Sequence, residues 1–369
     1  MLRDIYRKDT SLLYETPILQ QTAFWSNVKK ELGIASLAIE LQPAKSLLSS
    51  NNSVWSDMLV ILKPVSKYNS VAYVPYGPEL EPEEEYQGIF LEELSERLRA
   101  CLPKHCISIR YELSWESYWA KDEENYEDGK WKGEPECYAR EFRFNFNTIH
   151  KNFWQAHGNS LPSSTIFINL EDNLQTIMNR MKPKTRYNIG LAHRKGVTVR
   201  TAGAESLDIW YRLYTESAHR NGFFLHDRKY FEKMLEVRAD DTLSPVEIKL
   251  LIAEYGTEPL ASMYLAISGS RGVFLYGASS SSHRNMMPMY ALQWEAIRLC
   301  KMNKCKTYDM FGIAPSAIPS HPLYGLYKFK TGFGGKQYHQ LGTWDYPLDE
   351  DNYRVFRNHE LRSQGFHLR

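Results

Sequence analysis

The run "IKLLIAEYGTEPLASMYLAISGSRGVFLYGASSSSHRNMMPMYALQWEAIRLCKMNKCKTYDMFGI", residues 248–313, decides how this chain folds. "IKLLIAEY", "LASMYLAIS" and "GVFLYGAS" are three successive strand-like runs. "PMYALQWEAIRLCKMNKC" reads as a helix with Pro288 in its opening turn, where a missing N–H costs little. "KTYDMFGI" then closes the order as a further strand. Upstream, "ESLDIWYRLYTESAHRNG" repeats Leu207, Trp210, Tyr211, Tyr214 and Ala218 at helical spacing, and Gly222 can end that helix. "STIFINL" (164–170) is a strand, followed by a helix that starts at Asp172 or Asn173 and runs through Leu174, Ile177 and Met181. The first half repeats a looser version of this order. "SDMLVILKPV" (56–65) and "SVAYVPYGPEL" (70–80) are strands, "EEYQGIFLEELSERLRACL" a helix with Ile89, Leu91, Leu94 and Leu98, and "HCISIRYEL" another strand.

A strand meander, a helix and a further strand form the core order of the GNAT acyltransferase fold, so the expected class is α+β. At 369 residues the chain suits two domains, and periodicity is lost across "KNFWQAHGNSLPSS", which places the boundary near 150–163. Hydrophobic content of 43% and charged content of 24% are those of a soluble globular protein. The net charge is only +1, so affinity for a nucleic acid must come from a local patch. The five cysteines include no zinc-type pair, and reduced thiols in a cytoplasmic protein are the expectation. The N-terminus lacks the apolar core of a signal peptide, and no run approaches a membrane span. The stretch 121–136, "KDEENYEDGKWKGEPE", reads as an exposed acidic loop.

"MKPKTRYNIGLAHRKGV" resembles a stretch of the FemABX peptidoglycan-bridge aminoacyltransferases, as do "YGASSSSHRN", "PMYALQWEAI", "YDMFGI" and "GLYKFKTGFGG", in the family's order. "LQQTAFWSNVKKELG" and "AYVPYGPEL" are similar to the family's opening elements, with Tyr76 where many members carry a basic residue. The resemblance covers most of the chain and is dense from about 164 to 345. It departs at "RYELSWESYWA", which lacks an expected proline, and at the loop 121–136. It implies two tandem GNAT-like domains with a cleft between them and no coiled-coil arm. The first domain would hold 1–155 plus 343–369 and bind the precursor; the second, 156–342, would be catalytic and face the tRNA. The implied reaction moves an amino acid from aminoacyl-tRNA, the co-substrate, to a stem-peptide amine of a peptidoglycan precursor, either lipid II or a UDP-linked muropeptide. No further cofactor and no metal is implied; the protein would be a cytoplasmic monomer with peripheral membrane contact.

Aminolysis of an ester needs no serine nucleophile, because the amine attacks directly. It needs two anionic substrates held together and charge stabilised on a tetrahedral intermediate, tasks that suit Lys and Arg. The resemblance implies Lys330, after Phe329 and before Gly332, Gly334 and Gly335, as the catalytic cation near the ester. It implies Lys29 and Arg220 as phosphate contacts, and Tyr276, Tyr264 and Phe329 as further substrate contacts. The plain alternatives are a solvated helix lysine, a helix C-terminal charge and half-buried strand aromatics. In "KPKTRYNIGLAHRKG" (182–196), Met181, Ile189 and Ala192 give a helix an apolar face, and Lys184, Arg186, Arg194 and Lys195 would hold tRNA phosphates. Ordinary solvation is the alternative there, with Tyr187 as a packing residue. His283, Asp309 and Asp345 read as structural. A coenzyme A site would require an R/Q-x-x-G-x-G/A loop; "RTAGAE" (200–205) comes closest but ends in Glu205. Two competing readings remain: a tandem GNAT enzyme using an acyl-CoA, and a non-catalytic tRNA- or precursor-binding module.

Overall fold

The computed structural model describes residues 1–44, 56–127 and 130–362. In chain order the first elements are β1 (Leu2–Lys8), α1 (Ala23–Glu31), β2 (Ser36–Pro43), β3 (Ser56–Pro64), β4 (Ser70–Pro75), α2 (Gln87–Arg99), β5 (Cys106–Glu116) and α3 (Cys137–Asn145). Next come β6 (Ser164–Asn169), α4 (Leu174–Arg180), α5 (Pro183–Arg194), β7 (Val197–Ala202), α6 (Leu207–Asn221), α7 (Arg228–Glu236), β8 (Val246–Tyr255), β9 (Glu258–Ser268) and β10 (Arg271–Ser279). The chain ends with α8 (Pro288–Met302), β11 (Thr307–Asp309), α9 (Tyr324–Lys330), β12 (Lys336–Pro347) and α10 (Glu350–Arg362).

Two compact units result: Met1–Ser163 with Ala239–Ser244 and the chain from His339, and Ser164–Arg238 with Pro245–Tyr338. The divisions fall a few residues from the expected 155 and 342. The reason is hydrogen bonding: Ala156 N–H donates to Thr343 O at 3.0 Å, and Thr343 Oγ1 donates to Asn159 Oδ1 at 2.7 Å. Leu161 N–H donates to Glu112 at 2.7 Å, so 156–161 stay with the first unit. The excursion at Ala239–Ser244 is not legible in the sequence; it is fastened by Ala23 N–H to Ser244 Oγ at 2.8 Å.

In the first unit the strands run β1-β2-β3-β4-β5-β12, and every pairing is antiparallel except β4 with β5. Two parallel strands cannot be joined by a hairpin, so α2 makes the crossover and buries Phe90, Leu91, Leu94 and Leu98 on the sheet. Side chains alternate between the faces. Met58, Val60, Ala72, Val74, Ile109 and Tyr111 enter the core. The registers place Lys63, Tyr73, Arg110, Glu112, Thr343 and Asp345 together on the other face.

Arg110 anchors that second face. Its Nε and Nη2 fork onto Asp345 at 2.6 and 2.7 Å, and Nη1 and Nη2 reach Glu360 of α10 at 2.7 Å each. Tyr353 OH adds a bond to Asp345 at 3.0 Å. Burial opposes the charge on Arg110, but the two carboxylates hold its proton affinity well above the usual range.

The second unit repeats the plan with strands β6-β11-β10-β9-β8-β7. β7 to β10 form an antiparallel meander, α8 crosses over, and β11 pairs parallel to β10. Leu292, Ala296, Ile297 and Cys300 of α8 are fully buried. Gly272 is required on β10, because a Cβ there would overlap Cys300. The same order in both units is what two tandem GNAT-like units require, and the class is α+β. "KTYDMFGI" is a strand only over Thr307–Asp309, because Phe311 turns into the left-handed region at φ 59°. Within the loop 121–136, Tyr126–Glu127 pairs with Lys130–Trp131, and 128–129 lie outside the described residues, as do 363–369 of the expected first domain. Among the described residues no helix exceeds 15 residues and none is long and apolar enough to cross a membrane.

Removing one partner of a buried ion pair leaves the other charge uncompensated. Asp345→Ala should therefore destabilise the protein by about 3–5 kcal/mol in urea unfolding, with Glu360→Ala milder because that carboxylate is more exposed. Equal, small losses would show that Arg110 does not depend on Asp345.

Candidate functional site

Lys330, the last residue of α9, is only 4% exposed. Its Nζ donates to the carbonyls of Phe311 and Gly312 at 3.1 and 2.7 Å and lies 5.1 Å from the Phe274 ring centroid. Those two carbonyls are presented by the left-handed turn at Phe311, which ends β11. Asp309 holds the turn: its carboxylate accepts from Phe311 N–H at 2.8 Å and from the Thr165 hydroxyl. Burial pushes the Lys330 amine down to about 7, with Asp309 pulling the other way, and burial raises Asp309. Lys328, two residues earlier, is exposed.

The glycines after Lys330 are needed for close packing within the protein. A Cβ on Gly332 would meet the Thr185 hydroxyl, one on Gly334 the Arg180 carbonyl, and one on Gly335 Ile166. Close approach serves the protein's own backbone: Lys182 N–H donates to Gly332 O at 2.8 Å. Phe329 is half-buried and packs edge-on against Tyr290 and Phe333, with ring centroids at 4.9 and 5.3 Å.

Tyr264 and Tyr276 face each other across β9 and β10, beside a bulge that places Leu265 opposite Phe274. Tyr264 is 0% exposed, packed against Trp210 and Phe231, and its hydroxyl donates to Phe231 O. The expectation that it lines a substrate site is thus corrected: it is a core residue. Tyr276 is half-buried, its hydroxyl 3.1 Å from that of Tyr230. Arg220 ends α6 and bonds Ser279 O at 2.9 Å and the hydroxyls of Ser281, Ser217 and Ser279. It ties the helix to the end of β10, and four donor contacts are already made.

The basic stretch is α5, with Met181, Ile189 and Ala192 buried as its alternation requires. Tyr187 is 60% exposed, so it does not pack inward; the Arg194 guanidinium lies 5.5 Å from its ring. Arg186 turns back to cap α4 through Asn179 O and Met181 O, and Lys195 donates to Asn285 O at 3.0 Å. Lys184 and Arg194 remain exposed. At "RTAGAE" the Gly203 N–H that a coenzyme phosphate would need is taken by Glu205 at 2.8 Å. His283 is exposed and sits 3.5 Å from Glu258.

In the first unit, Lys29 of α1 is half-buried with its Nζ 4.6 Å from the Trp25 ring, and burial pushes its amine down to about 8. Near it the sheet face adds residues that motif reading missed: Lys63, Tyr73 and Glu112. Their signal was present, since Arg110 and Glu112 interrupt "ISIRYEL" at strand spacing and Lys63 does so in "MLVILK". Among the described residues no group of three or more His, Cys, Asp or Glu could hold a metal ion.

The buried amine of Lys330 makes a signed pH prediction. Below about pH 7 the folded and unfolded chains both carry its proton, and folding bears the full cost of the buried charge. Between about 7 and 10.5 only the unfolded chain keeps the proton, so stability rises with pH in that window. The unfolding free energy of the wild type relative to Lys330→Met should climb across the same window. A difference independent of pH would mean that the buried amine stays charged.

A model of the FemAB family matches residues 14–246 and 244–360. The lipid II:glycine glycyltransferase of Staphylococcus saprophyticus subsp. saprophyticus is 21% identical over 268 residues, 57% of this chain and 65% of that protein. Its counterpart in Staphylococcus epidermidis is 22% identical over 265 residues, 56% of this chain and 64% of that protein. The match thus spans less than two thirds of these relatives. The crystal structure of FemX superposes with a TM-score of 0.70 at 17% identity, over 92% of this chain and 94% of that one. With the family's model running over both units and this fold beneath it, the chain belongs to the FemAB family.

Proposed function

We propose that this chain is an aminoacyltransferase of cell-wall bridge synthesis, which moves an amino acid from aminoacyl-tRNA to the stem-peptide amine of a peptidoglycan precursor. The observation that carries the reading is the family match over residues 14–246 and 244–360, which includes both Lys29 and Lys330. Relatives named as lipid II:glycine glycyltransferases favour a lipid II-type acceptor over a UDP-linked one. A lipid-linked acceptor calls for peripheral contact with the cytoplasmic membrane face. Aminoacyl-tRNA is the donor, with no separate cofactor, and the protein works as a monomer.

In this reaction the acceptor nitrogen attacks the ester carbonyl carbon and a C–N bond forms. The bond from that carbon to the terminal ribose oxygen of the tRNA breaks; the amine loses a proton and the ribose oxygen gains one. Lys330 as an ammonium stabilises the oxyanion between these steps. Its ordinary partners, two carbonyls, carry only partial charge, so a developing oxyanion attracts the ammonium more strongly than they do. Lys29 holds precursor phosphate, and Lys184 and Arg194 on the exposed side of α5 hold tRNA phosphates. Glu205, at the loop that comes closest to a coenzyme site, weighs against the acyl-CoA reading.

The protein incubated with mixed charged tRNAs and each precursor should yield a product heavier by one or more amino-acid residues, read by mass spectrometry. Acetyl-CoA alone supporting transfer, with charged tRNA inert, would overturn the reading. Lys330→Ala should fold, keep precursor binding and lose about 10²–10³ in turnover, whereas Lys328→Ala stays near wild type. Equal losses in the two variants would remove the role given to Lys330.

Salt dependence tests α5. Lys184→Ala with Arg194→Ala should flatten the salt dependence of tRNA binding by roughly 0.7–0.9 log units per lost contact and leave precursor binding alone. An unchanged slope would leave α5 an ordinary solvated helix.

A further inference from the structure

β11 breaks off at Asp309, although β6 beside it still offers partners. Met310 N–H donates to Ile166 O at 2.9 Å, and Ile313 N–H donates to Ser164 O at 3.0 Å. Three steps along one chain thus answer two along the other, which leaves one residue too many, as in a bulge. Phe311 takes up the surplus with φ 59°, a left-handed conformation that few bulky side chains adopt unless their surroundings hold them there. Asp309 is what holds it. Its Oδ1 accepts from Phe311 N–H at 2.8 Å and from the hydroxyl of Thr165, a buried residue of β6. With that N–H turned back to Asp309, the Phe311 and Gly312 carbonyls accept from Lys330 Nζ at 3.1 and 2.7 Å. The same carboxylate supplies negative charge that favours the Lys330 ammonium against its burial, and Arg271 of β10 is the further cation acting on Asp309. One aspartate therefore bears on both the place of the amine and its charge.

We propose that Asp309 is a positioning residue for the transfer step: braced by Thr165, it builds the two-carbonyl turn that seats Lys330, and it affects the reaction only through that lysine. A buried carboxylate that already accepts from an N–H and a hydroxyl is poorly placed to take the proton of the attacking amine, so Asp309 is not assigned as a base. The inference rests on the reading of Lys330 as the group that stabilises the oxyanion. The turn itself follows from the hydrogen bonds.

The test is a double-mutant cycle on the whole protein, read as kcat and KM for the precursor in the charged-tRNA transfer assay. Asp309→Asn keeps an oxygen for the Phe311 N–H and removes the charge; Asp309→Ala removes both. Asp309→Ala should lose on the order of a hundredfold in kcat, as a misplaced reacting group does, with KM unchanged, and Asp309→Asn should lose less. Neither substitution should cost anything further in Lys330→Ala, because groups that act as a unit are not additive. A second readout needs no activity. In protein carrying ¹³C-lysine, the Cε resonance of Lys330, assigned by its absence in Lys330→Met, reports the proton on the amine. Its titration midpoint should fall in Asp309→Asn, because the charge removed is the one that favours the ammonium. Thermal melting shows which variants fold; should both Asp309 variants fail, Thr165→Val, close in shape to the native residue, goes through the same cycle with a smaller loss expected. Wild-type kcat in every variant that folds, losses that add to that of Lys330→Ala, or an unmoved Lys330 midpoint in Asp309→Asn would each overturn the proposal. Full turnover in Lys330→Ala, with the midpoint still moved by Asp309→Asn, would instead sink the oxyanion role of Lys330 and leave Asp309 as the residue that seats the amine.

Discussion

Each unit is closed by a parallel strand that only a crossover helix can reach, and the polar chemistry of the molecule gathers around those two strands. A parallel pair rules out a hairpin, so α2 and α8 must lie across their sheets and bury a full apolar face there. The helix covers one face only. In the first unit the face of β5 that α2 leaves is the one that carries Arg110 and Glu112, and α10 reaches Arg110 there through Glu360. In the second unit β11 stops after three residues, and the turn that follows offers two backbone carbonyls to Lys330. A longer β11 would have spent those carbonyls on a strand partner.

Arg110 differs from three partly or fully buried lysines in how its charge is met. Arg110 has two carboxylates in fork geometry and keeps its charge despite burial. Lys29, Lys63 and Lys330 have aromatic rings, carbonyls or a carboxylate engaged elsewhere, and burial lowers all three amines. Rings and carbonyls offer partial charges, which offset only part of the desolvation of an ammonium. Arg110 therefore ties β5, β12 and α10 together.

Much of the fold was legible in the sequence. The meander of β8, β9 and β10, the Pro288 start of α8, the Asn173 cap of α4 and the Gly222 end of α6 follow from local patterns, and each is where those patterns place it. Local signals suffice there because backbone hydrogen bonding and periodic burial act over a few residues. β1, β12 and the excursion at Ala239–Ser244 were not read, because their partners lie far away in the chain. "KTYDMFGI" looked like a longer strand because alternation cannot reveal a left-handed turn at a phenylalanine.

The site divides in the same way. The sequence by itself determined the family-like order of motifs, the basic stretch of α5, and the presence of Lys29 and Lys330 beside aromatic residues. Only the tertiary structure decided what each of these groups meets. It buried Tyr264, turned Arg186 and Lys195 back to carbonyls, spent the glycines after Lys330 on close backbone contacts, and set Lys63 over Tyr73. The physical reason is that charge and exposure are not local properties. A lysine's proton affinity depends on how much water and how many opposite charges surround it, and those surroundings come from strands distant in the chain.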